Sequence, residues 1–241
     1  MSRLGALALA LAVPAIAATP DPAELLRAAD APHEAFTEGV IRLRVTAIEK
    51  GKKSVENVLD LYVKDSEENL CVFREGKQKG RKILTVSDRV WLIVPGASRP
   101  IPVSSSQRLM GAASFGDIAR LRFADVYVAT LRPEEQTVGE TACRILDLEA
   151  KRPHPAYPSG VLWLGKDDGL ARRLRLSLAS GKEAKEVVFE DYRAGPRIGT
   201  MRIRDLLAAG GESVTALVFE RYEERALDPA IFELAGARAL P

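Results

Sequence analysis

The feature that most constrains this chain is a long succession of short segments in which apolar and polar residues alternate. Ile41, Leu43, Val45 and Ala47 alternate with Arg42, Arg44 and Thr46, the period-two signature of a strand with one buried face. Lys50-Gly51-Lys52-Lys53 turns the chain, and Val55, Leu59, Leu61 and Val63 return with Asp60 and Lys64 on the other face. Leu70 to Phe73, Lys82 to Val86 and Val90 to Val94 follow, with turns at Glu75-Gly76 and Ser87-Asp88. The second half continues in the same style. Val126 to Thr130, Glu135 to Val138, Arg144 to Leu148, Gly160 to Leu164, Leu170 to Leu178, Glu183 to Asp191, Met201 to Leu207 and Ser213 to Tyr222 read as strands, with Pro133 as an interruption. Asp168-Gly169 supplies the positive φ that a tight hairpin needs. Parallel neighbours require a crossover of a dozen or more residues, so these connections predict an antiparallel meander of about 9–11 strands. The fold class is mainly β with a few helices (α+β).

A sheet of that size must cover one whole apolar face or close on itself. Helical material to cover it is scant. Asp21-Pro22-Ala23-Glu24 is a helix start, with a capping Asp and Pro at the first helical position; the helix should reach about Ala29 with Leu25, Leu26 and Ala29 on one face. Leu227-Asp228-Pro229-Ala230-Ile231-Phe232 reads as a capped terminal turn. Between the halves, the apolar strand Val90 to Val94 breaks at Pro95-Gly96 and a polar loop carries Arg99. Ser104-Ser105-Ser106-Gln107 and Ser114-Phe115-Gly116-Asp117 match capping boxes. They predict short helices whose Leu109, Met110, Phe115, Ile118 and Leu121 form an apolar lid over the sheet.

Met1 to Ala17 reads as an export leader: Arg3 is the positive n-region, Leu4 to Val13 the apolar run, and Ala15-Ile16-Ala17 a small-x-small cleavage site. The run is too short to span a bilayer as a helix. Removing it leaves residues 18–241, long enough for one domain with a sizeable core, and lowers the net charge from +2 to +1. That balance, with charges scattered in alternating sign, argues against a nucleic-acid partner. Cys71 and Cys143 lie in separate strand-like segments. An oxidising compartment permits a disulfide between them, but spacing cannot test it, and two buried free thiols are the plainer reading.

Signs of catalysis are missing. His33 and His154 are the only histidines, and neither has a neighbour at metal-ligand spacing. There is no G-x-S-x-G and no Gly-rich phosphate loop, and Asp167-Asp168 is turn chemistry. The expectation is a protein with no catalytic residue, no metal and no cofactor.

The order of pieces resembles the outer-membrane lipoprotein-sorting proteins, the LolA-like periplasmic carriers. It rests on Trp91-Leu92-Ile93-Val94-Pro95, Arg99, Ser104 to Ser106, Gln107-Arg108-Leu109-Met110-Gly111 and Gly116-Asp117-Ile118-Ala119-Arg120. Cys143 to Leu148, Val161-Leu162-Trp163-Leu164 and Phe189-Glu190-Asp191-Tyr192 extend it across the whole of residues 18–241. The resemblance implies an incomplete, strongly curved antiparallel β-barrel with short helices over its concave face. It also implies that acyl chains of a lipoprotein or another lipid bind in the apolar cavity, with an inner-membrane transporter and an outer-membrane acceptor as partners. On that reading Trp91, Ile93, Leu109, Met110, Phe115, Ile118, Leu121 and Trp163 line the cavity or its lid, and Arg99 meets a headgroup or holds its loop. The alternative is a periplasmic adaptor that docks on an envelope transporter through an exposed strand edge.

Overall fold

Thirteen strands pair into one curved antiparallel sheet whose two edges do not meet. The computed structural model describes residues 19–34, 37–49, 52, 54–64, 68–87, 89–104, 108–114, 122–152, 156–195, 197–208 and 213–241. The leader and most of the lid region therefore lie outside the described residues. In chain order the elements are α1 (Pro22–Asp30), β1 (Glu38–Glu49), β2 (Val55–Lys64), β3 (Glu68–Gly76), β4 (Lys82–Val86), β5 (Arg89–Ile93) and β6 (Ile101–Val103). A small hairpin, β7 (Arg108–Met110) and β8 (Ala113–Ser114), leads to α2 (Phe123–Val126). Then come β9 (Tyr127–Val138), β10 (Thr141–Ala150), β11 (Ser159–Gly165), β12 (Ala171–Ser177), β13 (Glu183–Arg193), β14 (Arg197–Asp205), β15 (Ser213–Glu224) and α3 (Leu234–Ala239).

The sheet runs β6-β5-β4-β3-β2-β1-β15-β14-β13-β12-β11-β10-β9. It is two meanders joined where β1 pairs with β15, from Gly39 opposite Glu224 to Glu49 opposite Ser213. The sheet has more strands than the roughly 9–11 expected, and Ile101–Val103 is an unanticipated one that extends the edge beyond β5. The two segments around Pro133 are instead one strand. Arg144 pairs with Glu135 and Leu146 with Leu131, so Arg132, Pro133 and Glu134 bulge opposite Ile145. Since β9 is an edge, a proline without an N–H costs no ladder bond there.

Alternation sorts the side chains onto two faces. The concave face carries Leu43, Val45, Leu59, Phe73, Leu146, Leu162, Leu174, Val187, Met201, Ile203 and Leu217, all buried in one cluster that also takes in Leu26 and Ala29 of α1. The convex face is polar across its middle. There Asp60 accepts from Arg42 Nε at 2.8 Å and from Arg74 Nε at 2.9 Å, and Glu186 accepts from Arg175 at 3.0 Å and Arg204 at 3.2 Å. A second apolar cluster forms on that face where α3 and the turn Pro229–Phe232 cover Tyr62, Leu70, Val72, Leu84 and Ile93. Lys82, itself buried, ties this cover down by donating to the carbonyls of Ala237 (3.0 Å), Arg238 (3.1 Å) and Leu240. The sequence anticipated the terminal turn but not α3, whose single Gly236 disguises it.

Candidate functional site

Among the described residues, three small pieces rather than a second sheet cover the concave face. In α1, Asp21 caps Ala23 N–H at 3.0 Å, and the helix lays Leu25, Leu26 and Ala29 toward the core. Its last residue, Asp30, is buried and accepts from the backbone N–H of Phe123 (2.6 Å) and Ala124 (2.8 Å). A carboxylate from one helix thus satisfies the first orphan donors of the next, and Phe123 and Tyr127 are set into the same cluster.

The third piece corrects an expectation. The chain over 108–114, where the Ser104-Ser105-Ser106-Gln107 box predicts helix, is instead a hairpin of β7 and β8 turned at Gly111-Ala112; the helix expected after Ser114 lies outside the described residues. Gly111 has φ +56°, and a Cβ there would lie 2.5 Å from Thr215 Oγ1 and 2.8 Å from Ala47 Cβ. Only glycine lets the tip come this close to β1 and β15. Thr215, fully buried, accepts from Ala112 N–H at 2.9 Å and donates to Met110 C=O at 3.1 Å. Asn57 Nδ2 lies 2.8 Å from Met110 Sδ. Docking against the sheet overrides the capping-box pattern here, because it offers the hairpin's polar groups partners that a solvated helix would not.

The two ends of the concave face differ. At the far end, Phe189 stacks on Tyr192 (6.5 Å between centroids) and Phe219 on Tyr222 (6.1 Å). The tyrosine hydroxyls donate to Ala171 C=O and Ile198 C=O, each at 2.7 Å, and burial pushes both phenols well above their ordinary pKa. That end is closed. At the hairpin end a recess of about 270 Å³ remains, lined by Ala112, Ser114, Tyr157, Lys185, Asp205 and Leu207 among others.

The sequence-predicted site residues separate. Met110 is in the concave cluster. Trp91 and Ile93 are not: register puts Trp91 opposite Leu84 and Ile93 opposite Lys82, which turns both onto the convex face under α3. Their strand neighbours Val90 and Leu92 take the concave side. Trp163 also faces outward, in a small cluster with Cys143 and Ile145, its Nε1 donating to Gln136 Oε1 at 2.9 Å and Arg173 and Arg175 lying over its ring. These three are corrections with one cause, the strict two-residue period of a strand. Arg99 is exposed in the β5–β6 loop. The side chain of Leu109, and all of Phe115, Ile118 and Leu121, lie outside the described residues.

Sequence reasoning missed Asp30, Asn57, Thr215, Lys185 and Asp205. A signal existed for three of them. Thr215, Lys185 and Asp205 each precede or end an inward-facing apolar row, Leu217-Phe219, Val187-Phe189 and Met201-Ile203, so each is a polar side chain at an inward position. Cys71 and Cys143 are free and buried on opposite faces, and burial raises both thiols above their ordinary pKa.

An open, curved antiparallel sheet whose apolar concave face is covered by short elements defines the LolA-like fold. Superposition on solved structures agrees. A LolA superfamily protein from Nitrosomonas europaea matches with TM-score 0.80 and 21% identity, over 90% of this chain and 99% of its own. A DUF1329 family protein from Desulfovibrio piger gives 0.76 and 20%, over the same 90% and 99%. An outer membrane lipoprotein-sorting protein domain from Vibrio parahaemolyticus gives 0.74 and 15%, again over 90% and 99%. A family model described as "-like: Uncharacterized protein" matches residues 65–236, well over half of the chain, and the chain belongs to that family. No curated protein matches it.

Proposed function

We propose that this protein is a non-catalytic periplasmic carrier that buries the acyl chains of a lipoprotein or another lipid against its concave face. The observation that carries the reading is the construction of the cover. Leu26, Phe123, Met110 and Ala112 occupy the apolar face, yet the pieces bearing them are held by a few point contacts, Asp30 on α2 and Thr215 on the hairpin. Loading replaces these side chains with acyl chain. A chain of about fifteen methylenes gains roughly 12 kcal/mol at about 0.8 kcal/mol each, enough to displace small covers while leaving the sheet intact. The leader read in residues 1–17 and the lipoprotein-sorting relative from Vibrio parahaemolyticus support the periplasmic setting and the cargo class. An inner-membrane donor and an outer-membrane acceptor are the partners such a carrier requires.

Native mass spectrometry of the exported protein, and titration with a fluorescent fatty-acid analogue, test the reading. Bound lipid or saturable uptake is expected, weakened in Met110→Gln. A protein that is always empty and takes up no analogue overturns it. Exposed Val128 (52%) on the edge strand β9, with Val126 (45%) at the end of α2 just before it, favours a second reading, an adaptor docking through that edge. Retained docking on membrane-complex partners by a protein that binds no lipid would select it.

A further inference from the structure

A nearly neutral net charge of +2 hides a separation between the two ends of the sheet. Antiparallel order places the turns β1–β2, β3–β4, β5–β6, β10–β11, β12–β13 and β14–β15 at the end where the hairpin docks. The turns β2–β3, β4–β5, β9–β10, β11–β12 and β13–β14 lie at the far end. The hairpin-end turns carry Lys77, Lys79 and Arg81, then Arg99, Lys151, Arg152 and Lys182, and among their described residues no acid. Acids stand behind them only on the strands themselves, as at Glu75, Glu149 and Glu183, the last paired with Arg175. The far-end turns reverse the sign, with Glu140, Asp167 and Asp168 against Lys166.

Exposed hydrocarbon sorts the same way. The large apolar side chains exposed among the described residues are Ile48, Ile101, Val126, Val128 and Leu207. Ile48 is the penultimate residue of β1, Ile101 the first of β6 and Val128 the second of β9; Leu207 follows β14, and Val126 ends α2 just before β9. Every one of them is at the hairpin end. Surface apolar residues scattered singly need no explanation, but confinement to one end, among the cations, does. They come from both edges of the sheet and from its middle. A peptide added to edge β9 would cover Val128 and miss Ile48, Ile101 and Leu207. One flat surface laid across the end of the curved sheet meets them all.

We propose that the hairpin end is a docking rim for an anionic lipid surface, its cations among the phosphates and its aliphatic side chains at the acyl boundary. A basic side chain near such a surface is worth about fivefold in binding, and burying the exposed half of a valine or isoleucine adds about as much. The two forces differ in reach. Charge acts over about a Debye length, ~8 Å at physiological salt, and selects the end that approaches, while the acids of the far end turn that end away. Hydrocarbon holds only on contact. Seated in this way, the hairpin and the recess beside it face the lipid. The inference goes beyond the carrier reading and does not need it, since an empty protein docks by the same rim.

Flotation with vesicles tests the rim. The exported protein should bind vesicles of phosphatidylglycerol mixed with phosphatidylcholine about tenfold or more tightly than phosphatidylcholine alone, and less tightly as salt rises. Lys77→Gln with Lys79→Gln should weaken that binding about 25-fold. Ile101→Asn with Val128→Asn should weaken it by a similar factor at every salt concentration, and Asp167→Asn at the far end should leave it unchanged. Orientation is read with a dye on Ser98→Cys in the β5–β6 loop, which nitroxide-labelled lipid should quench, and on Ala194→Cys in the β13–β14 turn, which it should not. Absence of binding to the anionic vesicles at low salt, equal binding to both vesicle types, undiminished binding in either double variant, or quenching at residue 194 instead of 98 overturns the inference. Binding to polyglutamate but to neither vesicle would give the rim to an acidic protein and overturns it as well. A protein that takes up the fatty-acid analogue yet ignores vesicles loses this inference and keeps the carrier; docking without uptake does the reverse.

Discussion

Thr215 is the pin that holds the hairpin in the sheet, and Thr215→Val tests the idea of a detachable cover. Valine nearly matches threonine in shape but removes the hydroxyl. Two backbone groups then lose their partner, Ala112 N–H (2.9 Å) and Met110 C=O (3.1 Å), in a place where Thr215 is wholly buried. Each buried group left unsatisfied costs about 1–3 kcal/mol, so the docked hairpin loses roughly 2–6 kcal/mol. The ceiling is set by what detachment itself costs. Lifting Met110, Ala112 and Ala113 from the core exposes one large and two small side chains, on the order of 3–5 kcal/mol, below the ~5–15 kcal/mol that keeps a whole fold together. The hairpin should therefore open before the sheet does. Hydrogen exchange followed by mass spectrometry or NMR reads this directly. A loss of about 3 kcal/mol speeds exchange at residues 110–114 by roughly 150-fold, while Leu43 and Val45 in β1 stay near native rates. Thr215→Ser keeps the hydroxyl and should restore most of the protection. Unchanged exchange at 110–114, or equal acceleration throughout the sheet, would refute the argument that the cover is a separate unit.

Three further outcomes follow from the same geometry. Asp30→Ala removes the acceptor of two α2 amides and should lower stability in urea by about 2–4 kcal/mol, with Asp30→Asn losing about half of that. Both tryptophans face outward, so a brominated fatty acid in the concave cavity should leave native fluorescence unchanged yet quench Met110→Trp; quenching of the native protein would place the ligand on the wrong face. Burial pushes the Asp60 carboxyl up, but the hydrogen bonds and charges of Arg42 and Arg74 outweigh it and hold it below its ordinary 3.8. Its contribution is present above that ordinary value and is lost as pH falls through the lower folded value, because the unfolded chain binds the proton first. Urea midpoints measured from pH 5 downward should therefore fall less steeply in Asp60→Asn than in the native protein.

Much of the fold was legible because strands write their exposure into the chain with a period of two. The rows Ile41-Leu43-Val45-Ala47 and Leu59-Leu61 appear in the core as the alternation required, and Gly169 takes the positive φ expected of its turn. The same period was available at Trp91 and Trp163, where aromatic size drew attention instead of parity. Parity alone places Trp91 with Leu84 and Trp163 with Ile145, away from the cavity. The lid misled for a different reason. A capping box is a local pattern, whereas the conformation at 108–114 is decided by contacts with Ala47, Asn57 and Thr215, residues far off along the chain.

What local chemistry alone settles in this protein is an antiparallel meander with one apolar face, short turns and a capped first helix, since alternation, turn geometry and capping each act within a few residues. Which strands join the two meanders and what covers the concave face were decided only in three dimensions. So was the union of Lys185 and Asp205 at the recess. Each depends on pairing between distant segments, β1 with β15 above all, and a long-range pair leaves no trace in the residues on either side of it until the chain has folded.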